Sequence, residues 1–561
     1  MADPVELVEL RVLDGPNLYF PRPAVKLTIA VPGWMRGSES KLENIAERLG
    51  VRDGRAGAPM SEQRRRFTAR VAKRLTGRVA TASVSRLAVR ARAGPEPGQI
   101  VVAFPWRRRG AAEALGREIA WLLGAVLRRS PERTIAEAVA RVAAVEPGDE
   151  PTVPDPSTTV IQVTGTNGKT TTTRLLAHIV RAAELRVAYS STDGVYADGV
   201  LVQAGDYSGF GGAATALAHS PDVAVLETAR GGILLRGIGV LHNDVAVVTN
   251  VTEDHLDLHG IRTLDQLAEV KATITKITRP GGWAVLNADD PRVLSMRRGA
   301  TGGVWLFSLD ADHPAIRETL AEGGRAIVPL DGLVTVLDGS KARPLIPLID
   351  VPVTIAGVAS VYVQNALAAT AAALAAGLPE RAVVKGLRTF VLDAEGNPGR
   401  ANLFRLDRRI IVVDYAHNEA GMNGLTELSR GLRPAGRDVW IAFGTAGDRT
   451  DRILHNFAVA AARGADHVAI AEQVRYLRGR DRHELIARLR GGAHDGGATN
   501  VPVHPDELHA FDAMLEASRP GDVLAITALA QREELFALMK GRRAERMTPG
   551  KVRALVKRVR A

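Results

Sequence analysis

The chain has 561 residues, a formal charge of +11, no cysteine, and 46% hydrophobic against 24% charged residues, the composition of an ordinary soluble globular protein. Its length exceeds one core, and a domain size of roughly 150 residues predicts three or four domains. The absence of cysteine excludes disulfides, thiolate metal sites and cysteine nucleophiles, and no run of 18 apolar residues predicts a membrane span.

The opening MADPVELVEL is acidic and alternating, with no basic stretch followed by an apolar core. No signal peptide is expected, and the protein is expected in the cytoplasm. Residues 1–145 read as a compact α+β unit, with strands at Glu6–Val12, Val25–Ala30 and Ile100–Phe104 and helices at Gly110–Arg128 and Pro131–Ala144. Basic blocks occur at Arg64-Arg65-Arg66 with Lys73 and Arg74, at Arg107-Arg108-Arg109, and along Lys540–Arg560. They read first as solvated helix faces of an Arg-rich protein. Such blocks also attract anionic partners, an acidic substrate among them. Without interleaved aromatics they do not outline a nucleic-acid groove.

The stretch 146-EPGDEPTVPDPST-158 reads as a linker. Beyond it, TVIQVTG, DVAVLETA, DVAVVTN and WAVLNADD recur between helical stretches. Continuous apolar strands with intervening helices predict a parallel, doubly wound sheet over residues 159–390. Residues 301–350 turn β-rich and irregular, and 357–388 are Ala-rich and helical. A second series, RIIVVDYA, DVWIAFG, HVAIAE and VLAITAL, predicts a Rossmann-like unit over 391–540, followed by a basic tail at 541–561. The expected fold class is α/β: an N-terminal α+β domain, a central P-loop parallel-sheet domain and a C-terminal Rossmann-like domain.

The first apolar strand of the central unit runs into Gly165-Thr166-Asn167-Gly168-Lys169-Thr170-Thr171. A Gly-rich turn between strand and helix points backbone N–H groups at one spot, and the helix dipole adds positive potential there. Lys169 supplies a cation and Thr170 a hydroxyl suited to Mg²⁺, so the loop reads as a cradle for the phosphates of ATP. It is shorter than the full G-x4-G-K-[ST] spacing, since position 163 is Val. Two later strands deliver Glu227, then Asn250 with Asp254 and His255, at their carboxyl ends. Ligands bind at such ends in open α/β sheets, and oxygen with imidazole ligands suits Mg²⁺ or Mn²⁺. Lys271 sits on a predicted helix and by itself reads as an exposed lysine.

Together Thr164–Thr170, Glu227, Asn250, Asp254-His255, Lys271, 286-LNADD-290, 364-QNALAA-369, 398-PGR-400 and 413-VDYAHNEAGM-422 resemble the Mur ligase superfamily of ATP-dependent amide ligases. Within it, 192-TDGVY-196, 205-GDYSG-209, 227-ETARGGILLRG-237 and 11-RVLDGPNLYF-20 are most similar to the Mur-like half and N-terminal segment of cyanophycin synthetases. The ATP-grasp domain of those enzymes has no counterpart here; the linker stands in its place.

The resemblance implies roles residue by residue. Lys169 with Gly165, Thr166, Asn167, Gly168 and Thr171 would hold the phosphates, and Thr170, Glu227 and His255 would bind Mg²⁺. Lys271 matches a lysine that many relatives carbamylate. Asn287 and Asn365 would contact the nucleotide, Arg400 the γ-phosphate and Asp414 the ribose. His417 would stand near the amine as a candidate base. Asp193, Asp206, Ser208, Arg230, Asn418 and Arg449 would face the substrates. The implied activity is an ADP-forming ligase that joins a carboxylate to an amino acid or other amine, with an acidic peptide or a cyanophycin-like polymer as candidate acceptor. Two other readings stay open: a P-loop ATPase or kinase, which leaves 413-VDYAHN-418 unexplained, and a scaffold paired with a separate ATP-grasp ligase. A homo-oligomer also stays open.

Overall fold

The computed structural model describes residues 3–51, 54–254, 256, 258–393 and 395–560. Three sheets organise it. The first is four-stranded and antiparallel, in the spatial order Glu6–Leu13, Ala24–Ala30, Gln99–Pro105, Arg90–Ala93. One face carries the helices Arg109–Ala125 and Pro131–Ala143, as the alternation and period predict. The 22-residue helix Glu62–Ser83 also packs there, through Phe67, Val71, Leu75 and Val79. Its i, i+3, i+4 stripe is interrupted on the outside by arginines, and the charge block hid it from the sequence reading.

The basic block is only partly a solvated face. Arg64 is 0% exposed. Its guanidinium donates to the carbonyls of Ala56 (3.0 Å), Trp34 (3.1 Å) and Gly37 (2.7 Å) and to that of Gly57. A buried cation is tolerated where its donors are taken up in this way.

The central sheet has eleven strands. The strand Thr159–Thr164 lies in its middle, between Val223–Glu227 and Asn243–Val248, all three parallel. Parallel pairing continues through Thr278–Asn287, Gly303–Phe307 and Arg325–Leu330 on one side and Val187–Ser191 on the other. Antiparallel hairpins close both edges. The helices Lys169–Ala182 and Ser360–Ala375 cover one face with Leu175, Ile179, Leu367 and Ala371. The chain leaves the middle strand and returns on both sides of it, so the strand ends there open a crevice.

The third sheet has seven strands, with Arg409–Asp414, Val523–Thr527, Val439–Phe443 and His467–Ala471 parallel. Residues beyond 540 are built into this unit. Glu545–Arg546 pairs with Phe404 and Arg405, and Val552, Leu555 and Val556 of the helix Pro549–Arg560 enter its core. Among the described residues no helix is long and apolar enough to cross a membrane.

Candidate functional site

A cavity of about 820 Å³ lies between the carboxyl ends of the central strands and the C-terminal unit. Its first wall is the loop that follows Thr164. Gly168, at φ +85°, ends the turn and caps the helix Lys169–Ala182 with no side-chain hydrogen bond, so the N–H groups of the first turn face an anion site. A Cβ on Gly168 would collide with Asn365 Oδ1, and one on Gly165 (φ +152°) with Thr249 Oγ1. The loop is held from behind. Thr166 N–H donates to the Asn250 carbonyl (2.9 Å), Asn167 N–H to Asn250 Oδ1 (2.9 Å) and Thr249 Oγ1 to the Asn167 carbonyl (2.6 Å). Asn287 steadies Thr249 through its carbonyl (2.8 Å). Asn250, just past the strand Asn243–Val248, and Asn287, at the end of Thr278–Asn287, thus shape the cradle from two neighbouring strand ends. Lys169 Nζ donates to the Thr166 carbonyl at 2.9 Å.

Glu227 ends its strand with its carboxylate buried in the crevice. It accepts the Thr170 hydroxyl at 2.9 Å through Oε2 and the Thr192 hydroxyl at 2.9 Å through Oε1. A carboxylate between two hydroxyls beside a phosphate cradle is a set of hard oxygen donors of the kind Mg²⁺ takes, the phosphates and water filling its octahedron. The donor chemistry therefore fits the metal. No cluster of three His, Cys, Asp or Glu that could hold a metal occurs among the described residues. His255 lies outside them.

Lys271 is not an exposed helix lysine: it is 3% exposed at the end of the helix Leu264–Lys271 and lines the same cavity. Burial, reinforced by Lys169, pushes its ammonium well below the usual lysine range, against the opposing pull of Asp254. Arg230, Asp206 and Ser208 share this wall. Asp206 accepts the Ser208 hydroxyl at 2.6 Å.

The opposite wall belongs to the C-terminal unit. Arg400 lies over the Tyr415 ring, its Cζ 4.5 Å from the centroid. Asp414 accepts from the Tyr362 hydroxyl (2.9 Å) and Ala401 N–H (2.8 Å). Burial raises its carboxyl above the usual range, with Arg400 working against that rise. His417 shares a hydrogen bond with the Tyr415 carbonyl through Nδ1 (2.9 Å) and points Nε2 at Asp254 Oδ2 (3.4 Å). Asn418 caps the helix Glu419–Leu432 and pairs with Asn167 of the phosphate loop, the amides exchanging bonds of 3.1 and 3.2 Å.

The structure therefore gathers the loop residues, Glu227, Lys271, Asn287, Asn365, Arg400, Asp414 and His417 around one cavity. Three expected substrate residues are placed differently. Asn418 is buried against Asn167 and does not line the cavity. Asp193 does not line the cavity; it is paired with Arg174 (3.0 Å) and Arg532 (3.4 Å). Arg449 is buried behind the wall against Asp254 (3.5 Å) and Asp448 (3.2 Å). Thr192, Thr249 and Tyr362 escaped the sequence reading. The first two stand directly at strand ends, which is the signal that marks them.

Known proteins share this chain's domains. Residues 163–373 match the Mur ligase middle domain and residues 399–528 the Mur ligase glutamate ligase domain. Cyanophycin synthetase of Synechocystis sp. is 42% identical over 314 residues, 56% of this chain and 36% of that protein. The chain spans between 35% and 42% of the length of the curated cyanophycin synthetases it matches. The UDP-N-acetylmuramoyl-L-alanyl-D-glutamate--2,6-diaminopimelate ligase of Alkalilimnicola ehrlichii is 30% identical over 477 residues, 77% of this chain and 87% of that enzyme. The solved structure of Escherichia coli FolC in complex with DHPP and ADP superposes over 70% of this chain and 91% of its own, with a TM-score of 0.52 and 22% identity, which shows a common fold. Both domains match in order and one such ligase aligns over most of its length: the chain belongs to the Mur ligase family.

Proposed function

We propose that this chain is an ATP-dependent, ADP-forming ligase that joins a carboxylate to the amine of an amino acid or related compound. The observation that carries the reading is the cavity itself. A phosphate cradle with Lys169, Thr170 and Glu227 on one wall faces Arg400, Asp414 and His417 on the other. A simple P-loop ATPase or kinase needs no such second wall.

In the proposed reaction a substrate carboxylate oxygen attacks the γ-phosphorus, the bond from that phosphorus to the bridging oxygen breaks, and ADP leaves. Lys169 and Arg400 balance the charge spread over the transferring phosphoryl group. The amine then attacks the acyl carbon, phosphate departs with the C–O bonding pair, and the amine proton passes to a base. His417 Nε2, turned toward Asp254, is our candidate. Thr170 and Glu227 would hold a Mg²⁺ ion, which supplies neutralisation of phosphate charge. The lobes on either side exclude water that would hydrolyse the acyl phosphate.

Burial beside Lys169 makes the Lys271 ammonium give up its proton more readily than an exposed lysine does, and an amine in its neutral form adds CO₂, forming a carbamate and releasing a proton. We propose that modification here. A carbamate carbon signal in the ¹³C NMR spectrum after ¹³C-bicarbonate treatment, absent in Lys271→Met, is the expected result. Its absence from the unsubstituted protein would remove the proposal.

The carboxylate partner is proposed to be acidic, in keeping with the net charge of +11. Phosphate release from ATP, screened with single amino acids and short acidic peptides, tests the function. Lys169→Ala and Glu227→Ala are each expected to lower turnover roughly hundredfold or more. Near-normal rates in both would place the chemistry elsewhere. Activity that appears only on adding an ATP-grasp ligase would favour a partner-dependent enzyme instead.

A further inference from the structure

Arg174 has no place in the chemistry above, yet it is a buried cation on the phosphate-loop helix, its side chain 4% exposed. It lies five residues after Lys169, too far round and along the helix to reach a phosphate held at the N-terminus. Its guanidinium is taken up by other partners. Nη2 donates to Asp193 Oδ2 at 3.0 Å and Nη1 to the Gly396 carbonyl at 3.1 Å. Gly396 belongs to the segment that joins the central and C-terminal units. One residue on, Asn397 is buried and donates to Thr171 Oγ1 at 3.3 Å. The connecting segment is thus held to the phosphate-loop helix at two points.

Asp193 completes the link. It follows Thr192, whose hydroxyl and N–H both donate to Glu227 (2.9 and 3.3 Å). Its other oxygen, Oδ1, meets Arg532 Nη1 at 3.4 Å, and Arg532 opens the helix Arg532–Gly541 of the C-terminal unit. One carboxylate is therefore shared by a cation from each lobe, at the residue next to one that grips Glu227. Asn402, two residues beyond Arg400, ties off the segment, donating to the Asn397 carbonyl (3.1 Å) and accepting Gly399 N–H (2.6 Å).

We propose that Arg174, Asp193 and Arg532 are positioning residues that form a latch between the lobes. They hold the C-terminal unit in the position that brings Arg400 and Asp414 over the phosphate loop. The proposal rests on the nucleotide reading above. It does not require any of the three to touch a substrate.

The chain lacks cysteine, so exposed Arg317→Cys and Arg490→Cys, one in each lobe, can carry spin labels for a distance measurement by pulsed EPR. With Mg²⁺ and AMPPNP the labelled full-length protein is expected to show one narrow interlobe distance. Arg532→Ala and Asp193→Asn are expected to broaden it. In turnover, kcat is expected to fall roughly tenfold, and the AMPPNP dissociation constant to rise, because Arg400 and Asp414 no longer close on the nucleotide. Arg532→Lys keeps a cation and is expected to recover most of the narrow distance. A distribution unchanged by both substitutions overturns the latch, as does an Arg532→Lys variant as open as Arg532→Ala. Failure of AMPPNP to bind the unsubstituted protein in calorimetry overturns the nucleotide reading, and the latch with it. AMPPNP binding with an interlobe distance that the substitutions leave unchanged sinks the latch alone.

Discussion

Arg64 shows how far one side chain can depart from what its neighbours announce. It sits in a run of three arginines, and its two companions are surface residues paired with Glu62. Its own guanidinium gathers four backbone carbonyls, two from the end of the short helix Pro32–Arg36 and two from residues 56–57. Replacing it with Met leaves those acceptors without donors, at a cost of roughly 3 kcal/mol in urea-unfolding free energy. Lys should recover little, because one ammonium cannot span acceptors arranged around a planar fork. Asp414 makes a second residue-scale prediction. Its carboxyl is raised by burial, so the folded state binds the proton more tightly than the unfolded chain does. The stabilising contribution is complete below the unfolded value near 3.8 and is lost as pH rises through the higher folded value. Asp414→Asn cannot titrate. Its stability relative to the unsubstituted protein should therefore increase as pH rises from below 4 towards neutrality, and a flat difference in urea midpoint would refute the assignment.

Legibility at the scale of elements followed how much of an element's pattern is local. The strand before Gly165 and the strands ending at Glu227 and Val248 are continuous apolar runs that only a buried parallel sheet accommodates. The cradle could be read from its glycines and lysine alone, and the helices Arg109–Ala125 and Pro131–Ala143 from their period. What stayed hidden depends on distant partners. The helix Glu62–Ser83 wears an arginine coat over its apolar stripe. Lys271 looks like any helix lysine until the fold closes over it, and Asp193 is claimed by Arg174 and Arg532, 19 and 339 residues away in sequence. The helix Pro549–Arg560 belongs to the same class. Its charge suggested a free tail, but every third or fourth residue is apolar, and Arg553 pairs with Asp350 (2.6 Å) across to the central unit. Leu555→Ala should cost about 3 kcal/mol in urea unfolding, the scale of a buried leucine. A solvated tail would show no loss.

At the scale of the molecule, the linker and the N-terminal unit behave as parts of one body. The segment 146–158 is mostly exposed, yet it is pinned at both ends. Arg109 N–H donates to the Asp149 carbonyl and Leu241 N–H to the Pro154 carbonyl, each at 2.9 Å. Alongside it, the segment after the first strand lies against the central unit through backbone bonds. Asp14 N–H donates to the Arg236 carbonyl (2.8 Å) and Ile238 N–H to the Pro16 carbonyl (2.7 Å). Asp14 pairs with the Arg236 guanidinium (2.8 Å), and Leu18 is buried in the central core. This approach depends on Gly15, where a Cβ would run into the Ile238 carbonyl oxygen. A site-specific protease sequence inserted after Glu150, once cut, should therefore leave the two pieces eluting together from a sizing column. Gly15→Val pushes a branched side chain into that carbonyl, and the cut pieces should then separate, whereas Gly77→Ala, with nothing within 4 Å of the added methyl, should leave them joined. If the unsubstituted pieces part on cutting, the backbone pairing at 14–16 contributes too little to hold the unit, and the linker alone keeps it in place.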